Sequence, residues 1–265
     1  MDTAELRLLT SLEDRHWWYK ERRAILAREL RRLQRLRGQA GRAGPGGTAG
    51  RAGPGGTAGR AGPGGTAGPG LALDVGAAGG GNTRVLSEYG WRAIALEYAE
   101  SAAVVARARG ISTLRADARQ LPARSASCGL VTAFDVLEHI DEDYQVAAEI
   151  TRVLRPGGTA LIAVPCDMAL WSAHDDAVGH VRRYTRTELA GLVNRAGLVV
   201  EALWSWNVLL RPAVAVRRKS AKGSDLEQVS PVVNGLLTSV VVAERYLPVR
   251  SWPGVSLMLR ARRPD

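Results

Sequence analysis

The sequence predicts an α/β fold: a doubly wound, mostly parallel sheet with helices on both faces. Three observations carry that prediction. From residue 71 onward short apolar runs alternate with helical patterns, the rhythm of successive strand–helix units. The first run, 71–75, opens into a cluster of glycines and alanines at 76–81, as a buried strand does when its turn must let a ligand approach the backbone. Four acidic residues, Asp74, Glu97, Asp117 and Asp135, recur at or just after strand ends, which in this architecture share one edge of the sheet.

Taken in order, residues 4–37 read as a helix, because Leu6, Leu9, Ile25, Leu26, Leu30, Leu33 and Leu36 recur at three- and four-residue steps among charged residues. It carries His16-Trp17-Trp18-Tyr19, an aromatic patch that either packs this extension (1–38) onto the main domain or forms a lid over a substrate, with Trp17 and Trp18 touching it. Residues 41–67 are three identical copies of Gly-Arg-Ala-Gly-Pro-Gly-Gly-Thr-Ala. That composition holds nothing able to form a core, so 39–70 reads as a disordered linker. The main domain then spans 71–265. Its strand candidates are 71–75, 93–97, 111–114, 129–134, 159–164, 198–204 and 255–262, with helices expected over 99–109, 142–154, 207–219 and 229–246. Segments 166–187 and 207–247 read as insertions on the substrate side.

Charge and cysteine content narrow the function classes. The formal net charge is +10, but residues 1–70 hold 13 Lys and Arg against 6 Asp and Glu, which leaves the main domain nearly balanced. A nucleic-acid partner is therefore not expected. No apolar run approaches the roughly 20 residues of a membrane span, and the charged N-terminus lacks a signal-peptide core. The two cysteines, Cys128 and Cys166, have no metal-ligand spacing. The expectation is a cytoplasmic protein with free thiols.

The motifs in register are Leu-Asp-Val-Gly-Ala-Ala-Gly-Gly-Gly, Ala-Leu-Glu-Tyr, Arg-Ala-Asp-Ala-Arg-Gln-Leu-Pro, Phe-Asp-Val-Leu-Glu-His-Ile and Leu-Arg-Pro-Gly-Gly. In that order they resemble the class I S-adenosylmethionine-dependent methyltransferases, most of all the small-molecule branch that includes ubiquinone-type O-methyltransferases. The resemblance implies a Rossmann-like seven-stranded sheet whose last strand is antiparallel. It implies a cofactor site of Asp74, Gly76, Ala78, Gly80, Glu97, Tyr98, Asp117, Ala118, Asp135 and His139, with Glu97 on the ribose hydroxyls and Asp117 and Ala118 at the adenine. Ala78 replaces the middle glycine of the family's Gly-x-Gly-x-Gly loop, between Gly76 and Gly80. The pattern Gly76-x-Ala78-x-x-Gly81 also fits a dinucleotide loop, so an NAD oxidoreductase is the rival reading, and a catalytically silent partner protein is a second.

Methyl transfer to an oxygen or nitrogen of a small, secondary-metabolite-type acceptor needs a base near neutral pH. His180 is the first candidate and His174 the second, with Arg182 and Tyr184 orienting the acceptor. The segment Asp135-x-x-Glu138-His139 resembles the Glu-x-x-Glu-His that some quinone-type O-methyltransferases use around a divalent ion. The plainer reading makes His139 a cofactor wall and Glu138 a helix-start carboxylate, and no metal is expected.

Overall fold

The computed structural model describes residues 13–42, 69–220 and 230–265. Seven strands lie in one sheet: β1 (Leu71–Val75), β2 (Arg92–Glu97), β3 (Thr113–Arg115), β4 (Cys128–Phe134), β5 (Leu154–Pro165), β6 (Val199–Trp206) and β7 (Ser256–Arg262). Their order across the sheet is β3-β2-β1-β4-β5-β7-β6. All neighbouring pairs run parallel until β7, which is antiparallel to both β5 and β6. The last strand in the chain is thus the antiparallel one, inserted one place in from the edge.

Helices α1 (Trp17–Arg42), α2 (Gly81–Glu88), α3 (Glu100–Ala108), α4 (Asp143–Val153), α5 (Ala173–Val178), α6 (Arg186–Arg195), α7 (Arg211–Ser220) and α8 (Pro231–Ala243) complete the described chain. The helix expected over 4–37 is described only from Trp17, and residues 4–12 and 43–68 of the expected helix and linker lie outside the described residues. Helix α6 starts at Arg186. Thr185 is its cap, accepting from the Glu188 amide while the Glu188 carboxylate accepts from Thr185. Strand β5 begins five residues before 159 because Leu154 already pairs with Cys128, after which the register shifts around Gly157, whose φ is +70°.

Period-two alternation sends the sheet's side chains into two cores. Val131, Ala133, Ile162 and Leu259 face Val146, Ile150, Leu189 and Leu192 of α4 and α6. Leu130, Phe134, Leu161 and Met258 face Leu26 and Leu30 of α1 and Leu86 of α2. Leu26 and Leu30 are fully enclosed, so each stabilises the docking of α1 by about 1.5–3 kcal/mol. Arg260, on the same face of β7, is bound by Glu29 of α1 and by Glu201 at 2.9 Å. The N-terminal helix is therefore part of the domain's second layer, and it places the aromatic patch at the carboxyl edge of the sheet.

Candidate active site

Two cavities meet at that edge. The first, about 670 Å³, is lined by Gly76, Ala78, Glu97, Tyr98, Asp117 and Ala118 among others. The second, about 490 Å³, is lined by residues including Trp17, Trp18, Glu138, His174, His180 and Leu237. Asp135 and His139 belong to the walls of both, so the cavities share a boundary at the end of β4.

The first cavity is shaped by backbone. Gly76 has φ +67°, and a Cβ there would stand 2.5 Å from Val136 Cγ2. Only a glycine leaves that floor open. Ala78 holds the left-handed region at φ 46°, a conformation that costs a non-glycine residue about 1–2 kcal/mol. Its amide nevertheless finds a partner, the Glu97 carboxylate arriving from the end of β2. Burial pushes the Glu97 carboxyl up to about 7, so it titrates near neutrality. Asp117 is held below the usual carboxylate range by the Arg119 side chain, which bonds it at 2.8 Å, and its Oδ1 accepts the Arg119 amide at 2.8 Å. It acts on the loop while Ala118 and Tyr98 supply neighbouring wall.

Two expected cofactor residues lie off the wall. Asp74 is buried beneath the loop, where its carboxylate accepts from Thr83 Oγ1 and Thr132 Oγ1, each at 2.6 Å. Burial raises it to about 6. Its place is to tie β1 to α2 and β4. Gly80 caps α2 at φ +79°, with Ile111 closed against the space a Cβ would need.

The second cavity is mainly apolar but carries buried polar groups without partners. Glu138 is fully enclosed, and neither of its oxygens has a hydrogen-bond partner. Burial pushes its carboxyl up to about 8. The Asn207 amide is likewise buried and unpartnered, on a residue with φ 60°. Orphaned groups of this kind carry a desolvation cost of about 1–3 kcal/mol each unless a ligand pairs with them. Left-handed non-glycine residues recur at the site, since Ala78, Asp135 and Asn207 all line one cavity or both.

His180 is set by its neighbours. Its Nδ1 lies 2.8 Å from Asp175 Oδ1, which leaves Nε2 directed to Glu138 Oε1 at 3.8 Å. Asp175 is itself fixed by Arg183, with contacts of 2.9 and 3.1 Å. His139 Nδ1 contacts the Gly179 carbonyl at 3.2 Å, and its ring stands 4.7 Å from that of His180. Glu138, His139 and His180 thus converge, and His174 packs edge-on to His180 at 6.3 Å.

Arg182 and Tyr184 are placed elsewhere. The Arg182 guanidinium binds Asp143 at 2.8 Å, and the buried Tyr184 hydroxyl donates to Asp143 at 2.9 Å and to the Leu137 carbonyl at 3.3 Å. Both brace the loop onto α4, and neither is among the residues lining these two cavities. The alternation of side chains along the extended 181–185 segment sends Arg183, not its neighbours, to the site.

Three site residues were given no individual role by the sequence. Arg22 is buried, ion-paired with Asp135, and stacked 5.6 Å from the Trp18 ring and 5.1 Å from Phe134. Its four-residue distance from Trp18 puts both on one helical face, a signal that was available. Asp175 and Asn207 had no such signal, because their roles depend on contacts made across the fold.

Residues 73–162 match the family model described as a methyltransferase domain. A protein of Mycolicibacterium smegmatis, named a probable S-adenosylmethionine-dependent methyltransferase, is 31% identical over 133 residues, 49% of this chain and 52% of that one. The malonyl-[acyl-carrier protein] O-methyltransferase of Alcanivorax borkumensis is 41% identical over 101 residues, covering 36% and 34% of the two chains. The chain spans about half or less of the length of these curated relatives. Phosphoethanolamine N-methyltransferase 2 of Haemonchus contortus, solved with S-adenosylmethionine, shares the fold at a TM-score of 0.51 and 19% identity, over 74% of this chain and 49% of that one.

Proposed function

We propose that this chain is a class I S-adenosylmethionine-dependent methyltransferase that moves a methyl group to an oxygen or nitrogen of a small-molecule acceptor held in the second cavity, a reading supported by the match of residues 73–162 to the methyltransferase-domain model and by the relatives above. One observation carries the reading: the cavity lined by Glu97 and the cavity lined by His180 meet at Asp135 and His139. A sulfonium cofactor supplies an activated methyl group for direct displacement. The first cavity suits it, with an open floor at Gly76, a carboxylate at Glu97 for a ribose diol, and flanking wall from Tyr98 and Ala118.

The chain's own part is alignment and proton removal. Trp17 and Trp18 wall the acceptor in together with His174, His180, Leu210, Val214 and Leu237. The acceptor's polar group meets the orphaned Glu138 and Asn207. His180 Nε2 takes the acceptor proton, because Asp175 holds Nδ1–H and fixes the tautomer. His174 stands behind it in the same cavity.

The test is a calorimetric titration of the purified protein with S-adenosylhomocysteine, with NADH as control. Micromolar binding that Glu97→Ala weakens ten- to a hundredfold is expected, as loss of a charge-assisted hydrogen bond predicts. Failure to bind S-adenosylhomocysteine removes the reading, and a response to NADH instead would favour an oxidoreductase.

A further inference from the structure

One histidine is enough to take a proton, yet three ligating side chains converge on one point of the second cavity. Glu138, His139 and His180 each offer one ligand atom, and these atoms all lie within 4.8 Å of one another. Glu138 Oε1 and His180 Nε2 are 3.8 Å apart. The Glu138 carboxylate is fully enclosed, and neither of its oxygens has a hydrogen-bond partner. A buried carboxylate in that state is relieved by a proton or by a metal ion that displaces the proton.

Both imidazoles are already oriented as ligands. His180 Nδ1 lies 2.8 Å from Asp175 Oδ1, and Asp175 is held in turn by Arg183. His139 Nδ1 lies 3.2 Å from the Gly179 carbonyl, which only accepts. A proton on each Nδ1 leaves each Nε2 its lone pair, and an oxygen behind the ring is how histidine is prepared for a metal. The set is not the contiguous one of the motif. Asp135 is taken by Arg22, while His180 arrives from the segment after α5. Two imidazole nitrogens with one carboxylate suit Zn²⁺, whereas Mg²⁺ prefers oxygen donors and keeps its water. Zinc holds such donors at about 2.0–2.2 Å, so they must close to roughly 3.3 Å from one another. His139, the exposed member of the three, is the one with room to move. All three line the second cavity, which leaves the remaining position of the ion open to water or an acceptor.

We propose that Glu138, His139 and His180 form a Zn²⁺ site with its open position facing the second cavity. Zinc affinity is independent of the methyltransferase reading above. Only its consequence rests on that reading: the ion and the acceptor proton compete for His180 Nε2, so a zinc-loaded chain lacks its base.

The experiment is calorimetric titration of the full chain, free of any affinity tag and stripped of metal, with Zn²⁺ and separately with Mg²⁺. Glu138→Gln and His180→Ala are run beside it, each checked by circular dichroism and by S-adenosylhomocysteine titration. The expected result is one zinc ion per chain with a dissociation constant below about 1 µM, and much weaker binding of Mg²⁺. Each variant should hold zinc at least tenfold more weakly with its circular dichroism unchanged. Glutamine keeps the size of Glu138, so a loss there with the fold intact reports the missing carboxylate. Three results would overturn the inference: no zinc binding tighter than that bound, zinc affinity that either variant retains, which would place the ion on other residues, or Mg²⁺ bound as tightly as Zn²⁺. Intact S-adenosylhomocysteine binding without zinc binding sinks only this inference. Absent cofactor binding sinks the methyltransferase reading and leaves the zinc result standing.

Discussion

Glu138→Gln isolates the most unusual group in the site. In the folded chain burial holds the Glu138 carboxyl at about 8 against an ordinary 4.5. The native state therefore keeps a proton that the unfolded chain releases, and stability falls as pH rises between those two values. Linkage makes that loss about 3 kcal/mol between pH 5 and pH 8, at 1.36 kcal/mol for each pH unit over which only the unfolded chain is ionised. Glutamine does not titrate, so the variant escapes the loss while keeping a similar shape and a buried polar group. Asp74 and Glu97 also titrate in this range, but they are common to both proteins and cancel in the difference. Thermal unfolding of both proteins in matched buffers at pH 5, 6, 7 and 8 measures the effect. The variant should gain on the wild type by roughly 6–12 °C in melting temperature across that series, given 2–4 °C per kcal/mol for a domain of this size. A difference that stays flat with pH would refute the argument that Glu138 is an uncompensated buried acid.

Other outcomes follow from single contacts. Ala78→Gly removes a left-handed alanine and should raise stability by about 0.5–1 kcal/mol after the glycine's extra unfolded-state freedom, read as a shift in urea midpoint. Gly76→Ala should weaken S-adenosylhomocysteine at least tenfold by calorimetry, because the new methyl meets Val136 across the cavity floor. Affinity for S-adenosylhomocysteine should rise from pH 6 to pH 8, by up to about tenfold per unit below 7, as Glu97 becomes a carboxylate able to accept both ribose hydroxyls; buffer-dependent enthalpies would reveal the released proton. His180→Ala should lower turnover by about 10²–10⁴ with cofactor affinity retained, the usual range for a lost general base.

Much of the fold was legible in local pattern. The run 71–75 and the glycines after it fall where β1 and its turn lie, and Glu97 and Asp135 do stand at the strand ends that open into the cavities. Strand alternation and a conformational demand for glycine are local properties, so single residues carry them. Asp74 shows the limit. Its place in the motif is plain, but a carboxylate just before the turn can face the ligand or the sheet, and Thr83 and Thr132 decide for the sheet. His174, His180, Arg182 and Tyr184 were recognisable as candidates without the internal order of the segment that holds them. Which of His180, Arg182, Arg183 and Tyr184 reaches the cavity depends on Asp143 and Asp175, and these bonds cannot be ranked from sequence.

By itself the sequence determined the sheet, the glycine loop and the resemblance to a methyltransferase domain, because strand periodicity, turn stereochemistry and motif order are written in contiguous residues. Only the tertiary structure decided that α1 delivers Arg22 to Asp135, that Asp175 sets His180, and that Glu138 and Asn207 stand unpartnered beside an apolar mouth. Those facts depend on desolvation and on contacts between segments far apart in the chain, quantities that come into being when the layers close on one another.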